Sequence, residues 1–164
     1  FHGHECPGLT IGYRAAEYAT ELLELKFSID EEVVCIAEND TCSVDAIQVL
    51  LGCSIGKGNL LFHMTGKQAF SFYNRLNGRS VRLVLKQKPK GVTREELIQY
   101  YLDCASSDMF DVKEAYIELP ERARQFDSYV CENCGETAGA NWIRVQDGKK
   151  LCLDCCVKYN RFCV

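Results

Sequence analysis

Cys131-Glu132-Asn133-Cys134-Gly135 and, with seventeen residues between Cys134 and Cys152, Cys152-Leu153-Asp154-Cys155 decide the fold of the C-terminal part of the chain. Two Cys-x2-Cys pairs at that separation are what a tetrahedral zinc site asks of thiolate ligands: each tight knuckle aims two sulfurs at one metal. Gly135 supplies the turn freedom the first knuckle needs. Between the pairs, 140–151 reads as a hairpin, with apolar strands either side of an Asp147-Gly148 turn. The second pair is expected to open a short helical run from Asp154 to Phe162, giving a treble-clef or ribbon-like finger. Redox dithiols or disulfides are the competing reading, but isolated redox pairs do not come as two matched sets around a hairpin. Cys131, Cys134, Cys152 and Cys155 are therefore the expected ligands of a structural Zn²⁺. Four thiolates close the coordination shell and leave no position for a reacting group, so any catalysis belongs elsewhere.

The 164 residues are 47% hydrophobic with three prolines, enough for one real core and a small metal-stabilised module. The expected organisation is a core over 1–120, a polar linker over 121–129 and the finger over 130–164. Eleven cysteines with no secretory leader point to a reducing cytoplasm. The chain starts at Phe1, so what precedes it stays open. No apolar run approaches the ~20 residues of a membrane span. The net charge of −4 is uneven: residues 1–120 carry 12 basic and 17 acidic side chains, and residues 121–164 carry 7 and 6. Four thiolates on Zn²⁺ would bring that tail to roughly −1, leaving no basic face for phosphates and disfavouring nucleic-acid binding.

The core reads as α+β, an antiparallel sheet with packed helices. Pro7–Leu25 patterns as a helix with Leu9, Tyr13, Ala16, Thr20 and Leu23 on one stripe, starting at Cys6. Glu32–Ala37 is β-rich. Ser43 is expected to cap a helix through Leu51, closed by Gly52, which puts Cys42 just before a second helix N-terminus. Leu60–Thr65, Gln68–Asn74 and Ser80–Lys86 alternate as an antiparallel meander. Thr93-x-x-Glu96 is a capping box for a helix to about Cys104, and Val112–Leu119 alternates as a last strand.

Phe1-His2-Gly3-His4-Glu5-Cys6-Pro7-Gly8 puts two imidazoles and a thiol on a loop that runs into a helix. Such groups can converge on one metal or one reacting carbonyl, and a thiol at a helix N-terminus is biased toward thiolate. An exposed segment with incidental polar residues is the plainer alternative. Cys6, Cys42 and His4 are the candidate catalytic groups. His2, Asp45, Lys57 and Asn59 are the candidates for holding a cofactor or a second metal in the core cleft, Asp45 either as ligand or as the group that orients a histidine. Around Lys57, Gly52 and Gly56 are separated by three residues where a Walker loop needs four, which excludes that motif. Cys6 and Cys42 are expected to be the most acidic free thiols, with Cys35 and Cys104 buried, His63 a cross-strand partner, and Cys53 undecided between cleft and core. Cys156 and Cys163 are spare thiols near the finger.

Three segments carry a family resemblance: His2-Gly-His4-x-Cys6-Pro-Gly-x3-Gly-Tyr13-Arg14, Cys42-Ser-Val-Asp45-Ala-Ile-Gln48, and Gly52-Cys53-x2-Gly-Lys57-Gly-Asn59-Leu. Together with Gly66-Lys67-x-Ala69-Phe70-x-Phe72, this pattern resembles the FmdE family of formylmethanofuran dehydrogenase proteins, which also allows a C-terminal zinc finger. The resemblance implies a dimerising α+β core with the His-Cys loop and the cysteine segment facing a shared cleft. It implies association with a molybdenum or tungsten enzyme of one-carbon (formylmethanofuran) metabolism without being its catalytic component. Two functions follow: a metal- or thiol-dependent enzyme or cofactor-handling subunit working at the His2/His4/Cys6/Cys42 cleft, or a non-catalytic accessory protein whose finger and core bind a partner complex.

Overall fold

Pro7 opens the first helix, α1 (Pro7–Leu23), because its fixed φ suits a first turn and its missing N–H costs nothing there. Cys6 is the N-cap, its sulfur accepting the Leu9 N–H at 3.3 Å. Glu24 ends the helix in the left-handed conformation (φ 55), two residues earlier than the hydrophobic pattern suggests. The buried face is the small-residue stripe Ile11, Gly12, Ala15, Ala16, Ala19 and Leu23, so the helix is rotated from the expected stripe and Tyr13 is 39% exposed. The structure, a computed structural model, describes residues 1–158; the chain divides into two units, Phe1–Ala123 and the part from Arg124 onward.

The small stripe lets α1 lie directly on α2 (Ser43–Leu51). A Cβ added at Gly12 would stand 1.9 Å from the Ser43 carbonyl oxygen, and one at Gly8 would stand 3.1 Å from the Cys42 Cβ. Ser43 is not the cap expected of it. It is the first helical residue, and its hydroxyl donates to Asn39 Oδ1, which also takes the Thr41 N–H and hydroxyl. Asn39, nearly fully buried, thus fixes the turn that presents Cys42. Gly52 closes α2 at φ 67, as the sequence suggests.

A five-stranded sheet carries the helices on one face. Its order is β2-β1-β3-β4-β5, with β1 Val33–Ala37, β2 Leu60–Phe62, β3 Ala69–Asn74, β4 Ser80–Leu85 and β5 Phe110–Lys113. The α+β reading holds, but the meander starts one strand later than expected. β2 pairs in parallel with β1 through the α2 crossover, and β1 separates it from β3. Val112–Leu119 is also corrected: the strand starts at Phe110 and ends at Lys113. Facing the helices are Cys35, Phe70, Phe72, Leu83 and Phe110, each buried aromatic worth about 1.5–3 kcal/mol. The opposite face, Val34, Ile36 and Tyr73, packs against Leu61, Ala115 and Ile117. There Arg82 meets Glu38 in a buried two-pronged ion pair, with the Tyr116 ring 5.2 Å from the guanidinium.

The capping box forms as expected and starts α3 (Arg94–Asp103); a short helix α4 (Ser106–Met109) leads into β5. Arg14 ties α1 to this region by donating to the Leu102 and Cys104 carbonyls. In the second unit β6 (Ser128–Val130) pairs with β7 (Thr137–Gly139), and β8 (Ile143–Gln146) with β9 (Lys149–Cys152) around Asp147 and Gly148, both at positive φ. The helical run expected from Asp154 is turn and bend through Cys156, and its remainder from Tyr159, with Cys163, lies outside the described residues. No helix among the described residues is long and apolar enough to cross a membrane.

Gly12→Ala should cost about 3 kcal/mol or more in urea unfolding of the first unit, because the added methyl meets backbone. Gly56→Ala, with open space around it, should stay within about 0.5 kcal/mol of the parent. Equal stability of the two variants would mean that α1 and α2 are not in this contact.

Candidate metal centres

In the finger the four predicted sulfurs meet. Cys131, Cys134, Cys152 and Cys155 place their Sγ atoms within 4.8 Å of one another. Cys134 and Cys152 are 3.9 Å apart, close to the ~3.8 Å edge of a tetrahedron with ~2.3 Å Zn–S bonds. The knuckle is held by the Gly135 N–H on the Cys131 carbonyl and by Glu132, which bonds the facing Lys150 backbone through both its N–H and its carboxylate. The backbone N–H groups of Cys134, Cys152 and Asn133 pull the Cys131 thiol down to about 6. At Cys134 the Glu136 N–H lowers the thiol pKa, but the neighbouring sulfurs and burial outweigh it and push it up to about 12. Four sulfurs this close therefore share protons until a divalent cation displaces them, which is the donor chemistry of a Zn²⁺ site.

The second cluster lies where α1 and α2 begin. Donor atoms of His2, Cys6 and Cys42 lie within 4.8 Å of one another. His2 Nδ1 is 2.7 Å from Asp45 Oδ2, and its Nε2 is 3.6 Å from Cys6 Sγ, near the ~3.6 Å N···S edge of a tetrahedral zinc. Asp45 in turn accepts from Gln48 Nε2 at 3.2 Å. With its Nδ1–H held by a carboxylate, the imidazole offers Nε2 as a ligand, the arrangement that orients metal-binding histidines. The Asp45 hydrogen bond, then Cys6, raise the His2 pKa. Burial pushes the Cys6 thiol up, but the Leu9 N–H, His2 and Cys42 outweigh it and leave Cys6 below its ordinary value. Burial and the Cys6 sulfur push Cys42 up, so of the two thiols expected to be acidic only Cys6 is shifted that way.

The remaining candidates fall outside this cluster. His4 is exposed, its ring 4.4 Å from that of His2. Lys57 donates to the Ser28 and Ile29 carbonyls, and Asn59 is buried with its amide nitrogen on the Ser28 hydroxyl and the Asp30, Val33 and Gly52 carbonyls. Their polar atoms bind backbone on the β1 side, so neither is the cleft contact that the sequence suggests. Cys35 and Cys53 are fully buried, and burial drives Cys35 well above its ordinary value and Cys53 to about 12. Cys104 is half-buried at the end of α3. His63 is exposed beyond β2 with its ring 6.3 Å from Tyr116, not in a cross-strand pair.

His2 and Cys6 form part of the wall of a cavity of about 410 Å³, with Leu9, Tyr13, Val49, Leu50, Ile98 and Leu102 among its apolar residues. Sequence reasoning misses this wall, although Val49 and Leu50 are visible as apolar positions off the buried stripe of α2.

A family model described as FmdE, molybdenum formylmethanofuran dehydrogenase operon, matches residues 1–125. The chain belongs to the FmdE family. A model of the prokaryotic dksA/traR C4-type zinc finger matches residues 124–161. Among solved structures, a tungsten formylmethanofuran dehydrogenase FmdE-like protein from Syntrophus aciditrophicus is 25% identical at a TM-score of 0.67, over 94% of this chain and 85% of that one. A probable S-adenosyl-L-methionine-binding protein of Archaeoglobus fulgidus is 29% identical over 97% of this chain and 51% of its own length, so the FmdE-family chain spans about half of that relative.

Cys131→Ser should release the finger zinc, whose binding is coupled to folding by on the order of 10 kcal/mol or more, and open only the part beyond about residue 128 to protease; unchanged resistance would contradict a zinc-held finger. In chelator-treated protein, alkylation should modify Cys6 well before Cys35 or Cys53, with a midpoint below the ordinary thiol value. Earlier reaction of Cys35 or Cys53 would refute the environment assigned to Cys6.

Proposed function

We propose that this FmdE-family protein holds a divalent metal at His2, Cys6 and Cys42, with a further coordination position open to the cavity, and uses it to handle a small ligand in one-carbon metabolism. The observation that carries this reading is the convergence of three donor atoms beside a cavity, with Asp45 at 2.7 Å fixing the imidazole. Three protein ligands plus an open position is the arrangement of reactive zinc sites, whereas the four-cysteine finger is closed. A metal bound there supplies Lewis-acid polarisation. The chain's own residues do the rest: Asp45 holds the Nδ1 proton of His2, the α1 N-terminus stabilises the Cys6 thiolate through the Leu9 N–H, and the apolar wall offers surface to the ligand's body.

The family's tie to the formylmethanofuran dehydrogenase operon, and the methyl-carrying ligand in the name of the Archaeoglobus relative, support a one-carbon setting. We place the protein in the cytoplasm as a homodimer that works alongside a molybdenum or tungsten enzyme. The accessory-protein reading draws on a different observation, the exposed Val130, Trp142 and Val145 on the finger.

Metal analysis separates the two. The parent protein should carry about two equivalents of zinc per chain, and His2→Ala or Cys6→Ser should remove one while the finger stays protease-resistant. One equivalent in the parent, unchanged by these substitutions, would eliminate the cleft metal and leave the accessory role.

A further inference from the structure

The polar side chains around the cavity are already bonded within the protein. Thr10 donates its hydroxyl to the Cys6 carbonyl at 3.1 Å, and Tyr13 donates its own to Glu17 at 2.8 Å. Asp45 has one oxygen on His2 and the other on Gln48. Glu5, the remaining polar member of the wall, is exposed to solvent. What is left for a ligand's body is the aliphatic surface of Leu9, Val49, Leu50, Ile98 and Leu102, around a hollow of about 410 Å³, the size of a small-molecule site. What is left for a ligand's polar end is the donor cluster itself, His2 and Cys6 with Cys42 beside them.

Such a wall sorts ligands by the number of polar atoms they bring. A carboxylate holding a metal through one oxygen would set its second oxygen against hydrocarbon, and an amine would set its N–H groups there. Each of these atoms gives up water and finds no replacement. A thiol strands nothing. It releases its one proton to solvent on binding, its sulfur takes the open position in place of water, and sulfur is a weak hydrogen-bonding atom that needs no further partner. Sulfur also suits a centre built from thiol and imidazole ligands.

We propose that the cavity binds a small thiol with an apolar body, its sulfur at the His2, Cys6 and Cys42 centre and its hydrocarbon against the α1, α2 and α3 side chains of the wall. The inference rests on the reading of the cleft as a metal site with an open position. The selection for an apolar body belongs to the wall, and the selection for sulfur belongs to the centre.

Four probes separate the two selections: phenylmethanethiol, its sulfur-free isostere ethylbenzene, the carboxylate phenylacetate, and thioglycerol, a thiol with a polar body. Each is titrated into the zinc-loaded full chain, with binding followed by calorimetry and by the amide shifts of Leu9, Ala46 and Ile98, and the zinc content is measured on the same samples. Phenylmethanethiol should bind on the order of tenfold tighter than each of the other three and shift those amides while leaving the finger amides of Ala138 and Val145 in place. Val49→Asn, at a position 51% exposed and so tolerant of substitution, should weaken phenylmethanethiol severalfold and leave thioglycerol unchanged. Cys6→Ser should reduce phenylmethanethiol to the affinity of ethylbenzene. Equal or tighter binding of phenylacetate, thioglycerol or ethylbenzene, indifference to Val49→Asn, or shifts confined to the finger would overturn the proposal. Two equivalents of zinc with no preference for the apolar thiol would defeat this inference alone, whereas one equivalent, unchanged by Cys6→Ser, would defeat the metal reading and this inference with it.

Discussion

The approach of α1 to α2 is the constraint on which the first unit depends. Gly12 lies so near the Ser43 carbonyl that no side chain fits between them, and Gly8 lies against Cys42. Two helices can come this close only where small residues face each other, and the Ala15, Ala16 and Ala19 stripe continues the same surface. The result is that two helix N-termini, each with the positive end of its dipole, meet at one point. Cys6 caps one through its sulfur, Cys42 holds the N-cap position of the other without a side-chain cap bond, and the loop before α1 brings His2 onto Asp45 in the first turn of α2. The cluster is a consequence of helix packing; no single helix or loop carries it.

This division explains what the sequence disclosed. The finger was legible because its ligands lie in two short knuckles whose spacing alone fixes the geometry. The start of α1 at Pro7 and the Thr93–Glu96 box were legible for the same reason, since caps are local. Strand pairing was not. β2 has the alternation of a meander strand, and only the α2 crossover sends it to the far side of β1. Lys57 and Asn59 looked like ligand contacts because they sit among glycines, yet the loop before β1 leaves carbonyls that these side chains must satisfy. Asn39 left no clear signal, because its role as the fixed point before α2 rests on partners two and four residues ahead and on the Lys67 carbonyl.

The cysteines divide by environment. Cys35 and Cys53 sit in the dry core, where losing a proton is costly, and they act as small hydrophobes. Those of the finger stand so close that a cation is needed for all four to ionise. Cys6 and Cys42 lie between these extremes, Cys6 at the edge of a cavity with one favourable N–H and one imidazole and Cys42 beside it. One residue type therefore packs the core of this FmdE-family chain, gathers as a four-thiolate donor set in the finger, and stands beside an imidazole at the cavity.

X-ray absorption at the zinc edge of the fully loaded protein tests the central claim most directly, because it counts donors by type. A four-sulfur finger and a cleft of two sulfurs and one imidazole, with a water oxygen filling the open position, average to about three sulfurs near 2.3 Å and one nitrogen or oxygen near 2.0–2.1 Å per zinc. A shell of sulfur alone, about four per metal and without the imidazole signature, would place all the zinc in the finger and contradict a metal centre at His2, Cys6 and Cys42.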